Sequence, residues 1–113
     1  MIEITIIKDR PSRRIALTAK GHAETAPQGA DLLCAAVSSQ VMGFSRAVAS
    51  MRKGCVKSGE IRVEFGDGTV DVALATAKDY KRVETYLVPI EAAIAAYESS
   101  FPDSIRVERL VGV

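Results

Sequence analysis

One histidine and two cysteines are the only strong candidates for nucleophilic chemistry in this chain of 113 residues. His22 and Cys34 lie twelve positions apart; Cys55 follows much later. A thiol attacks carbonyl carbon as its thiolate, which needs a base or positive surroundings to form. His22 is the sole imidazole available as that base. The surrounding run is Gly21-His22-Ala23, then Gly29, Asp31 and Cys34-Ala35-Ala36-Val37-Ser38.

The elements that must hold these groups are legible in the same stretch. Arg14 to Ala19 reads as a strand, with Ile15, Leu17 and Ala19 on one face, and Gly21 ends it. Pro27, Gln28 and Gly29 read as a loop, because proline lacks a donor and glycine permits unusual dihedrals. A helix is expected from Ala30 or Asp31 to about Lys53. Its buried stripe would be Leu33, Val37, Val41, Phe44, Val48 and Met51. Asp31, Cys34 and Ser38 recur at three and four, so they share a neighbouring ridge. That start puts Cys34 in the first helical turn, where unpaired amides and the macrodipole favour an anion. The segment from Ala23 to Ala30 then joins base to nucleophile, either walling a groove or gating it. Taken residue by residue, quieter roles also fit. Cysteine is often a small buried hydrophobe, a lone histidine beside glycine is often a loop residue, Asp31 is a good helix cap, and Ser38 suits a helix surface.

Composition narrows the classes. One domain spanning residues 1–113 is expected, with 48% hydrophobic residues and a formal charge of +1. Charge so near neutral gives no electrostatic footprint for nucleic acid. Met1-Ile2-Glu3-Ile4 lacks the basic and apolar regions of a signal peptide. No uncharged apolar run of about 18 residues is present, so no membrane span is expected. Two cysteines make no secreted disulfide framework, and a reduced cytoplasmic setting is expected. One histidine and two distant cysteines offer no zinc spacing, so neither a metal nor a cofactor is expected.

The remaining elements follow from periodicity. Ile2, Ile4 and Ile6 alternate with polar residues as a strand, turning through Lys8–Ser12 into the second. Ile61, Val63 and Phe65 pair by Gly66-Asp67-Gly68 with Val70, Val72 and Leu74. Asp79 is read as the cap of a second helix bearing Val83, Leu87, Ile90, Ile94 and Tyr97, which Pro89 should kink or split. Ile105, Val107 and Val111 form a last strand whose alternation Arg109 breaks. The order β-β-α-β-β-α-β predicts an α+β layered domain, a mostly antiparallel sheet packed by two helices. Strand order does not follow from pattern.

The run from Gly21 to Ser38 resembles the ribosomal-processing cysteine protease (Prp, YsxB-like) family of bacteria. Length and element order extend the resemblance over nearly the whole chain. It implies Cys34 as nucleophile and His22 as general base, with Asp31 at the family's acidic position and Ser38 at its serine position. Gly21, Ala23, Gly29 and Ser38 would then border a substrate groove. It further implies removal of an N-terminal extension from the precursor of the large-subunit ribosomal protein numbered twenty-seven, and a homodimer. The loop Glu24-Thr25-Ala26-Pro27-Gln28 and the helical Ser39-Gln40 depart from the family pattern. Two other classes compete. A non-catalytic, ribosome-associated peptide-binding domain would need no reactive thiol. A redox protein would need a resolving cysteine nearer than Cys55.

Overall fold

The computed structural model describes residues 1–21, 27–51, 61–64, 68–74 and 76–112, with the side chains of 27–31, 51 and 61–64 left aside. The elements are β1 (Ile2–Asp9), β2 (Arg14–Gly21), α1 (Pro27–Met51), β3 (Ile61–Glu64), β4 (Thr69–Ala73), α2 (Ala77–Ser100) and β5 (Ile105–Gly112). They form one five-stranded sheet in the order β3-β4-β2-β1-β5. Every pairing is antiparallel except β1 with β5. A parallel pair needs a long crossover, which α2 provides between β4 and β5.

Register explains the core. Ile4 faces Ala19 and Ile6 faces Leu17 across β1 and β2. Leu17 faces Val70 and Ile15 faces Val72 across β2 and β4, and Ile2 lies beside Ile105. The period of two puts all these side chains on one sheet face, where they are buried. Leu33, Val37, Val41, Phe44 and Val48 of α1 and Val83, Leu87, Ile90 and Ile94 of α2 complete the same cluster. Asp79 is not the cap of α2. Thr76, extended at φ −131° and ψ 160°, is the cap, and its hydroxyl accepts from the Asp79 amide at 3.1 Å. Asp79 instead occupies the first turn, where an acid suits the positive end of the helix.

Pro89 does not split α2. Its ring is on the exposed face beside Val88, so the carbonyl it leaves unbonded faces solvent, while Leu87 and Ile90 on either side anchor the helix in the core. Arg109 does not end β5 either. It lies on an edge strand and reaches Glu98 of α2 at 3.1 Å, an ion pair in place of burial. Phe65, Gly66 and Asp67, between β3 and β4, lie outside the described residues. Gly68 has φ +66°, and a side chain there would press on the Ala19 carbonyl at 3.2 Å.

Leu32–Ser50 of α1 is long and apolar enough to cross a membrane by length and composition. A single charge, Arg46, stands within it. In the fold this stretch supplies the core stripe of α1, and such core helices meet the same criterion.

Candidate active site

The described candidate residues lie at the end of β2 and along the first half of α1. Gly21 closes β2 opposite Ile2 of β1. Its φ of +92° lies in the left-handed region, and a Cβ there would collide with the carbonyl of Met1. Glycine is therefore required twice, for backbone sterics and for close approach. β2 ends at this glycine, directly before the histidine in sequence. His22 and Ala23 lie outside the described residues.

The helix starts earlier than its sequence pattern implied. Pro27, Gln28 and Gly29 are helical, not loop. Proline is well suited to a first helical position, where an amide is not needed and its fixed φ is already helical. Its usual reading as a breaker holds only for helix interiors. Three corrections follow. The connection from β2 to α1 does not extend to Ala30. Asp31 is the fifth helical residue and cannot be the cap. Cys34 is the eighth, roughly 10 Å along the axis from Pro27 at 1.5 Å per residue. The free amides of the first turn therefore belong to a different level of the helix, and they are not available to an oxyanion at the Cys34 carbonyl adduct.

Cys34 itself is a free thiol, half-buried and packed against the core cluster. At 100° per residue it sits about 60° around the helix from the centre of the Leu33, Val37, Val41, Phe44 and Val48 stripe. That shoulder position combines a fixed rotamer environment with solvent access. Ser38, one turn on, is exposed. Asp31 and Gly29 occupy helical backbone positions of the preceding turns. Among the described residues no group of three His, Cys, Asp or Glu side chains is arranged to hold a metal ion. Cys55 lies outside the described residues.

The family model for the cysteine protease Prp matches residues 1–106. The chain belongs to the Prp cysteine protease family. It is a cysteine protease by that membership, and the α+β fold is that of Prp structures. SMU.848 from Streptococcus mutans superposes with a TM-score of 0.69 at 20% identity, over 98% of this chain and 95% of that one. The essential ribosomal processing protease Prp from S. aureus, bound to a substrate peptide, gives 0.69 at 16% identity, over 96% and 99%. The same S. aureus protease with a covalently linked product peptide gives 0.68 at 17% identity, again over 96% and 99%. No curated protein sequence matches the chain at a comparable level. Sequence identity so low, with coverage so complete, is what a fold specified by alternation and core stripes permits: side chains change while the pattern of burial persists.

Proposed function

We propose that this Prp-family protease cleaves the precursor of a large-subunit ribosomal protein, that numbered twenty-seven, through Cys34 as nucleophile and His22 as general base. The observation that carries the reading is a half-buried, free Cys34 on the helix that follows the glycine-terminated β2, in a chain whose family match spans nearly its whole length. The S. aureus relative was captured with a substrate peptide and with a covalently linked product peptide, which supports covalent catalysis on a peptide by this fold. In the proposed reaction the Cys34 sulfur attacks the scissile carbonyl. His22 takes the thiol proton and returns it to the leaving amine. Water then releases the acyl group from sulfur by the same base. In this reading Gly21, Ala23, Gly29 and Ser38 border the groove, and Asp31 orients the base. The setting is the cytoplasm, where the thiol stays reduced, and the active species is a homodimer.

The test is cleavage of the extended ribosomal protein precursor by the wild type, Cys34→Ala and His22→Ala. Cys34→Ala should abolish cleavage while the fold and peptide binding persist. His22→Ala should slow it by about 10²–10⁴-fold, the usual contribution of a general base, and should slow iodoacetamide alkylation of Cys34 at neutral pH while Cys55 alkylates as before. Cleavage by Cys34→Ala at the wild-type rate would remove the thiol from the mechanism. An unchanged alkylation rate in His22→Ala would remove the ion pair.

A further inference from the structure

β5 is an edge strand. It pairs with β1, and no described strand lies on its other side. The bonds that close this pairing show which backbone groups are free. The Ile2 amide donates to the Ser104 carbonyl, and the Arg10 amide to the Gly112 carbonyl. With Ile2 beside Ile105 in parallel register, Arg106, Glu108 and Leu110 turn both backbone groups toward β1. Ile105, Val107, Arg109 and Val111 turn theirs outward. Exposed edges are commonly blunted by bulges, by proline or by an inward-pointing charge. β5 has 8 residues in unbroken register and no proline. Its charge on the helix-covered face, Arg109, is already neutralised by Glu98 of α2 at 3.1 Å.

The side chains of this edge complement a copy of themselves. Arg106 and Glu108 are exposed on the open face of the sheet, on either side of Val107. Opposite charges directly across a strand pair stabilise it, and like charges destabilise it. A symmetric antiparallel pairing centred on Arg106 sets Arg106 against Arg106. Centred on Glu108 it sets Glu108 against Glu108, and centred on Arg109 it sets Arg109 against Arg109. Centred on Val107, it sets each Arg106 against the partner's Glu108, a contact that two-fold symmetry repeats. Val107 then faces the partner's Val107, and Ile105 the partner's Arg109, as hydrogen-bonded pairs of outward-turned residues. The same register lays the exposed Leu110 and Val111 beside the partner's turn from Phe101 to Ser104, where Phe101 is also exposed.

We infer that β5 is a self-recognition edge, on which the β5 of a second copy pairs antiparallel about Val107. The two sheets become continuous, and the reciprocal Arg106–Glu108 pairs fix the register. One pair of strand edges is small beside the area of a stable dimer interface, so the contact forms at high protein concentration. It needs neither the protease reading nor the proposed homodimer. Where that homodimer holds, β5 joins two dimers into a tetramer.

The test follows the whole chain from about 10 μM to about 1 mM, the range for a contact of this area. Sedimentation equilibrium should show a further doubling of mass toward the upper end; the species at the lower end, monomer or dimer, tests the homodimer separately. Hydrogen exchange should show the Val107 and Arg109 amides gaining protection with that doubling. The Arg106 and Glu108 amides, bonded to β1 throughout, should not change. Arg106→Glu and Glu108→Arg should each weaken the association about tenfold, because symmetry imposes the like-charge contact twice. The double variant Arg106→Glu, Glu108→Arg should recover it, since the pairs re-form with signs reversed. Both positions are exposed, so all three variants should melt with the wild type. A double variant as weak as the single ones would overturn this register. Val107 and Arg109 amides that stay unprotected at the highest concentration would leave the edge open to other strands and overturn self-pairing, as would a mass doubling that protects another element instead.

Discussion

Gly21 is the residue on which backbone and chemistry depend together. Its φ of +92° and its approach to the Met1 carbonyl are both closed to any side chain. The next residue is the only histidine. Gly21→Ala is therefore expected to act twice. It should lower stability by about 1–3 kcal/mol, the range for a residue forced into a sparsely populated region. It should also lower kcat/KM by more than that loss of folded protein explains, because Gly21 directly precedes the proposed base, His22, in the chain. Thermal melts and cleavage kinetics on the same preparation separate the two effects; a destabilised variant with full activity per folded molecule would show that the turn does not position the base. Cys34 and His22 stand out in the sequence because of their residue types within a short run, and their pairing is the proposal made above. The level of Cys34 on its helix was not legible there. Pro27 and Gly29 are breakers by propensity, and only the observed helix shows them serving as a first turn. In the proposed reaction, activation of the thiol is therefore assigned to His22 and not to first-turn amides.

The elements show where local pattern suffices and where it fails. Alternation located β1, β2 and β4; β1 and β4 bury one face, and β2 buries Ala16 on the opposite face as well. The stripe of α1 was equally plain, because its apolar residues repeat at helical spacing. The cap of α2 was misplaced by three residues, from Thr76 to Asp79. Both types favour caps, and only the hydrogen bond from the Asp79 amide to the Thr76 hydroxyl distinguishes them. Thr76→Ala should then cost about 1 kcal/mol, read as a lower denaturation midpoint with an unchanged denaturant slope. A variant as stable as the wild type would mean that the cap is dispensable in this context. Strand order was beyond the sequence, because pairing of β1 with β5 is a contact across almost the whole chain. It depends on how α2 crosses the sheet and not on any local signal. The bidentate Arg14–Asp71 pair, at 3.0 Å for each nitrogen, ties β2 to β4 on the open face. Side-chain hydrogen bonding and the Asp71 charge raise the Arg14 guanidinium still further above its ordinary value. The pair is half exposed, so it adds register more than stability.

At the scale of the whole molecule, α1 divides the two surfaces of the protease. Its inner stripe holds the sheet and its shoulder carries Cys34. Its outer face presents Leu32, 73% exposed, Ala35, Met42, 49% exposed, and Gly43, whose absent side chain would meet nothing. Leu32 and Met42 are about 15 Å apart along the axis at 1.5 Å per residue, long enough for a helix-to-helix contact. The proposed homodimer fits this face, because the small residues Ala35 and Gly43 beside two larger apolar ones let a second helix approach closely. It also leaves the Cys34 shoulder outside the contact. Sedimentation velocity at micromolar concentration should show a dimer for the wild type and a monomer for the double variant Leu32→Glu, Met42→Glu. Each charge would be buried without a partner in the dimer and hydrated in the monomer. Alkylation of Cys34 by iodoacetamide should proceed at the same rate in both species, since the thiol faces away from the contact. A wild type that sediments as a monomer would overturn the dimer. A dimeric double variant would move the contact to another face, and a change in Cys34 alkylation on dissociation would place the partner copy at the site itself.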